Sequence, residues 1–183
     1  RIGMQPVSAS DVPNKKNGAA PRALSKEEIL HIVDCYAKAA KRAQIIGFDA
    51  VEIHAGHSYL INQFLSPLTN KRTDEFGGSY ENRARFARLV LEAVRKEVGA
   101  QFPIIVRISA DEFLEGGNTL EDTLKLLEYF HAEADIIDVS CGLVDSIQYQ
   151  IDANYLAGWM ALLYGKSGKG SLCEAGHHNR KHP

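Results

Sequence analysis

Two imidazoles and a phenol fall within six residues of this chain, at His54, His57 and Tyr59. They follow a short apolar run, Ala50–Ile53, inside the stretch GFDAVEIHAGHSYLINQFLSPLTNKRTDEFGGSYEN that spans Gly47 to Asn82. Polar rings just past a strand tip suit the holding and protonation of a small polar substrate better than they suit a core. An imidazole N–H can donate to charge developing on an oxygen, the logic of an oxyanion hole. A phenol is protonated at neutral pH and can serve as a general acid. Plainer readings stay open: one histidine caps the strand, the other lies on the surface, and the tyrosine packs with its hydroxyl exposed. Zinc also binds imidazole, but the pair lacks the spacing of a His-Glu-x-x-His helix and no third ligand is evident. No metal is expected.

Arg107 interrupts the apolar run Ile104–Ile108 (IIVRI). An arginine inside a buried strand is costly unless an anion meets it, and Glu52 on the neighbouring strand is the plain candidate. Lys71, Arg72, Asp74, Glu75 and Arg83 crowd the loop after Tyr59, where a charge run is usually a solvated face; mutual salt bridges are expected to fix its shape. Asp111 and Glu112 follow the second strand and are weak candidates to face the site. Cys141 reads as a small buried apolar residue.

The elements that must position these groups alternate. Residues 1–24 hold three of the six prolines and read as an extended loop. Ser25 with Glu28 forms a capping box for a helix whose apolar face carries Ile29, Ile32, Val33, Tyr36, Ala40 and Ala43, with Gly47 as its stop. Tyr80–Val98 is a second amphipathic helix, buried along Phe86, Leu89, Val90, Ala93, Val94 and Val98 and ended by Gly99. Thr119 and Asp122 cap a third, with Leu120, Leu124, Leu127 and Phe130 on one side. Ile136–Ser140 (IIDVS) is the third strand. Helix–strand repeated three times, with strands too apolar to be half-solvated, predicts a parallel sheet covered by helices. Both a barrel and an open doubly wound sheet fit. A barrel places function at strand C-termini, where His54, the end of the Arg107 strand and Cys141 all sit.

The 183 residues suit one domain, with 45% hydrophobic and 24% charged residues and a net charge of −2. There is no basic stripe to suggest nucleic acid, and no apolar run of the length a membrane span needs. Three scattered cysteines form neither a disulfide framework nor a zinc spacing, so a cytoplasmic setting is expected. The sequence begins at Arg1, and the true N-terminus is expected upstream. From Ile151 the pattern weakens, and residues 161–183 read as a disordered or off-pattern tail. Gly165–Ser167 (GKS) is no P-loop, since Met160 stands where the motif needs glycine.

The run VEIHAGHSYLINQFLSPLTNKRTDEFGGSYENRARF closely resembles the signature of the Old Yellow Enzyme family of FMN-dependent NAD(P)H oxidoreductases. The resemblance covers roughly residues 1–160 and implies three of the eight strand–helix units of a TIM-type (β/α)8 barrel. It implies a ping-pong reaction in which NAD(P)H reduces FMN and the reduced flavin passes hydride to an activated alkene such as an enone or enoyl thioester. In that reading His54 and His57 hold the substrate's activating oxygen, Tyr59 supplies the proton, and Arg107 lies beside the flavin ring. GGNTLEDTLKLLEYF with SIQYQIDANYLAGW is similar to a bacterial branch that includes dienoyl-CoA reductases and bile-acid enoate reductases. Members of that branch carry an iron–sulfur cluster, but its cysteine group is not in this chain. The implied partner is a small unsaturated molecule, with neither nucleic acid nor membrane; homo-oligomerisation is left open. The rival reading is a non-catalytic truncated part of such an enzyme that cannot retain FMN.

Overall fold

The computed structural model describes residues 5–13 and 20–146. The expected tail and the SIQYQIDANYLAGW segment, apart from its Ser146, lie outside the described residues. The element order is β1 (Val7–Ser8), β2 (Arg22–Ala23), α1 (Lys26–Ile45), β3 (Val51–Ala55), α2 (Leu60–Leu65), α3 (Tyr80–Val98), β4 (Ile104–Ser109), α4 (Leu120–Leu127) and β5 (Ile136–Ser140).

The helix boundaries follow their caps. Ser25 accepts from the Glu28 N–H while the Glu28 carboxylate accepts from the Ser25 N–H. Thr119 and Asp122 make the same reciprocal pair ahead of α4. Past α1, Gly47 takes φ 94°, a conformation glycine adopts without the Cβ penalty. Two details differ from the expectation. Residues 1–24 are not all loop, because β1 and β2 pair in parallel, Val7 with Arg22 and Ser8 with Ala23. The segment after Tyr59 is not all loop either: Leu60–Leu65 forms α2, which buries Ile61, Phe64 and Leu65.

β3, β4 and β5 form one parallel sheet in that order. In register neighbours point the same way, so the sheet has two distinct sides. The rows Ile53–Val106–Ile137 and Ala55–Ile108–Val139 face the helices. There Ile53, Ala55, Val106 and Ile108 join one core with Ile29 and Val33 of α1, Phe64 of α2, and Phe86, Val90 and Val94 of α3. The opposite rows are Glu52–Ile105–Ile136, His54–Arg107–Asp138 and Ser109–Ser140. This corrects the reading of strands buried on both sides: Glu52 and Ile136 are exposed, and the side chain of Arg107 keeps 41% of its surface open. The second side is polar, and no helix packs across it among the described residues.

Candidate active site

His54 belongs to the polar side of β3, and the chain then turns sharply. His57 and Ser58 both take positive φ, 55° and 65°, uncommon for residues with a Cβ. Such strain costs of the order of 1–3 kcal/mol per residue and persists only where the surroundings hold it. Here they do. The His57 N–H donates to Ser109 Oγ at 2.9 Å, and the Ser58 N–H donates to Asn62 Oδ1 at 2.8 Å. Ser58 O accepts from Gln63 Nε2 at 2.8 Å, while Ser58 Oγ accepts from the Val144 N–H at 3.2 Å. Gly56 is required at the start of the turn, since a Cβ there would lie 2.9 Å from Ser109 Oγ and 3.0 Å from Ser109 N.

The turn gathers the three rings. His57 Nδ1 lies 3.3 Å from His54 Nε2, and the ring of Tyr59 lies 4.9 Å, centroid to centroid, from that of His54. Tyr59 is the N-cap residue of α2 and is 60% exposed. Burial is the first cause that lowers the pKa of both imidazoles. Arg107 adds to it at His54; at His57, the neighbouring His54 and then Arg107 add to it. Both rings are therefore neutral at pH 7, able to donate and to accept.

Arg107 completes the middle row between His54 and Asp138. Its ionic partner is Asp138, with Nε 3.5 Å from Oδ2, rather than the expected Glu52, which stands opposite Ile105. The pair is loose: the Nε–H makes no hydrogen bond among the described residues. Since Arg107 is half-exposed, the large burial cost expected for it is not incurred.

The other charged candidates are structural. Glu112 is fully buried, and burial pushes its pKa up. It accepts from Ser66 Oγ at 2.8 Å and the Asn118 N–H at 3.0 Å, and more weakly from the amides of Asn62 and Asn118. Its link to Asn62, whose other amide atom holds the Ser58 N–H, ties this carboxylate to the strained turn. Arg83 is buried too and donates to Leu65 O and to Asn118 Oδ1. In the loop only Arg72 and Asp74 pair with each other; Glu75 pairs with Lys26 of α1, and Lys71 Nζ donates to Pro67 O. Arg72 also donates to Ala9 O and Leu24 O, pinning the loop to the β1–β2 segment. Asp111 caps the Phe113 N–H. Cys141 is buried, as expected. Among the described residues no group of three or more His, Cys, Asp or Glu side chains is arranged to hold a metal.

Ser109, Ser140, Asn62 and Asp138 are the site residues that sequence reasoning missed. Serine and asparagine carry no periodic signal, and their partners lie as far as 83 positions away.

A polar row on one side of a parallel sheet, with rings collected at the strand C-termini, is the arrangement of a barrel active site. Residues 3–170 match the NADH:flavin oxidoreductase / NADH oxidase family. The chain belongs to that family. An NADH oxidase of Thermoanaerobacter brockii is 42% identical over 165 residues, 88% of this chain and 25% of the relative. An NADPH dehydrogenase of Clostridium acetobutylicum is 46% identical over 139 residues, 75% of this chain and 41% of the relative. Among solved structures, a 2-naphthoyl-CoA reductase in complex with 2-naphthoyl-CoA superimposes with a TM-score of 0.77 at 33% identity, over 90% of this chain and 26% of that one. Morphinone reductase in complex with tetrahydroNAD gives a TM-score of 0.68 at 29% identity, over 91% and 54%. The chain thus spans a quarter to two fifths of these curated relatives. Its three parallel strands with their helices are part of a TIM-type (β/α)8 barrel. No helix among the described residues is long and apolar enough to cross a membrane.

Proposed function

We propose that the protein is an FMN-dependent NAD(P)H oxidoreductase of the ene-reductase type, acting on an activated alkene such as an enone or an enoyl thioester. The observation that carries the reading is the row His54–Arg107–Asp138, with His57 and Tyr59 gathered at the same end of the sheet. The residues fit a flavin: a half-exposed guanidinium with only a loose anion beside it suits an electron-rich ring edge. FMN, when bound, supplies hydride transfer between NAD(P)H and the substrate.

The chain's own residues do the rest. Arg107 would hold the cofactor and keep a permanent positive charge against it. His54 and His57, neutral at pH 7, would hold the substrate's activating oxygen by N–H donation, which strengthens as charge develops there. Tyr59, open to solvent and packed on His54, would give its phenolic proton to the carbon next to the activating group. The thioester option draws support from the likeness to a reductase solved with a CoA thioester.

Stopped-flow measurement of both half-reactions in FMN-loaded protein tests the proton role. Tyr59→Phe should slow alkene reduction by about two orders of magnitude and leave flavin reduction by NAD(P)H intact. Equal loss in both halves would make Tyr59 structural.

A second reading, a non-catalytic part that does not retain FMN, is favoured by the open polar side of the sheet. Three strands leave edges unpaired. A colourless preparation from FMN-rich medium, with no saturable binding at micromolar flavin, supports it. A yellow one excludes it.

A further inference from the structure

Gly56–Tyr59 is a tight turn closed by the Tyr59 N–H, which donates to Gly56 O at 3.1 Å. Its two central residues, His57 and Ser58, have φ 55° and 65°. Positive φ at both is the mark of a type I′ turn, whose central positions asparagine and glycine fill most readily. At Ser58 the left-handed conformation needs support. The mirror-image type I turn, with negative φ at both positions, suits a serine better and leads the chain away in another direction. Tyr59 stands at the exit, so the hand of the turn decides where its phenol lies.

Tyr59 is also the N-cap of α2, and it makes no side-chain capping bond. A serine, threonine or aspartate there would turn its oxygen onto the helix. The phenol is instead left beside the His54 ring, 4.9 Å between centroids. An acceptor for this end of the helix comes from Asn62, which lies one turn in and is 3% exposed. Its Oδ1 takes the Ser58 N–H at 2.8 Å, reaching back past Tyr59 much as the third helical residue of a capping box reaches back to the cap. Its Nδ2 faces the Glu112 carboxylate at 3.4 Å. The reverse amide would set oxygen against oxygen at Glu112 and N–H against N–H at Ser58, so one orientation is held.

We propose that Asn62 is a positioning residue for Tyr59: by holding the Ser58 N–H it keeps the turn left-handed, and so keeps the phenol beside His54. The proton-donor role of Tyr59 rests on the function proposed above, whereas the placement of its ring is independent of any flavin. Moving the acceptor from the N-cap to Asn62 leaves the N-cap side chain free to face the site.

The test is the nuclear Overhauser contact between the Tyr59 and His54 rings in the full chain labelled with ¹³C and ¹⁵N. Asn62→Ala should abolish the contact while the α2 amides stay helical. Adding Ser58→Gly to Asn62→Ala should bring it back in part, because glycine holds a positive φ without help. Leu65→Ala removes a buried side chain of the same helix but leaves the Ser58 bond, and should leave the contact in place. An unchanged contact in Asn62→Ala would overturn the proposal. So would an equal loss in Leu65→Ala, or no return with glycine, either of which would make Asn62 a plain support of the helix. If Asn62→Ala does not fold, the native chain decides: its Ser58 amide should exchange slowly with solvent, and fast exchange would show that Asn62 does not hold it. A Tyr59 that Asn62 places but that donates no proton would be told apart by the two half-reactions of Tyr59→Phe, on which the ring contact does not depend.

Discussion

On one side of the sheet, Ile53, Ala55, Val106 and Ile108 press against three helices and leave almost no surface open. On the other, Glu52, His54, Arg107 and Asp138 alternate with them along the same strands and meet no helix layer among the described residues. The first side is held by apolar burial, worth roughly 25 cal/mol per Å². The second has one loose ion pair, and pairs exposed to this degree contribute about 0–1 kcal/mol. Stability and chemistry are thus divided between the two sides of three strands. The strained His57–Ser58 turn is where they meet, because the groups that hold it come from the buried polar network behind.

Substitutions on the two sides should differ sharply. Phe86, fully buried and 4.6 Å from the Phe64 ring, is the largest lever. Phe86→Ala should cost about 3–5 kcal/mol in denaturant unfolding. A cost below about 0.5 kcal/mol, the range of surface changes, would mean that the helix side is not the core.

Glu112 sharpens the boundary. Glu112→Ala leaves Ser66 Oγ and the Asn118 N–H without their buried acceptor, a loss of about 1–3 kcal/mol. Its pH signature has a definite sign. Burial raises the folded pKa above the ordinary carboxylate value, so this group's contribution is full below the unfolded pKa and is lost as pH rises through the folded one. The penalty of Glu112→Ala should therefore grow as the pH falls from neutral toward the ordinary carboxylate range. A penalty that shrinks would mean that the carboxylate is ionised and stabilised in place.

The histidines carry the opposite sign. Both folded pKa values lie below 6.5, so their contribution is present above that value and is lost as pH falls through the folded values. Imidazole titrations followed by NMR should give midpoints below 6.5 for both, and a midpoint above it would show that an anion, not burial, dominates. The smallest effect belongs to the open side: Arg107→Gln should change unfolding by no more than about 0.5 kcal/mol.

Much of this arrangement is legible in residue order. The two capping boxes and the stop at Gly47 follow from local chemistry that needs no partner, and the three strands from their alternation with helices. His54, His57 and Tyr59 stand out because three polar rings fall within six residues at a strand tip. The remainder depends on register. That Arg107 meets Asp138 rather than Glu52 is decided by which strand residues align, and that Glu112 is a buried anchor while Glu52 is exposed is decided by a fold-back through Asn118. α2 escapes a sequence reading because Tyr59 caps it without a side-chain hydrogen bond and its six residues are too few to show a period.

The division of the sheet is tested most directly by titrating FMN into the ¹⁵N-labelled chain and following its amide signals. Shifts are expected only on the open side, around His54, Ile105, Arg107 and Asp138, and should be lost in Arg107→Gln while the fold persists. Shifts centred on the helix-facing residues, or an unchanged response in Arg107→Gln, would contradict the assignment of the polar side as the flavin face.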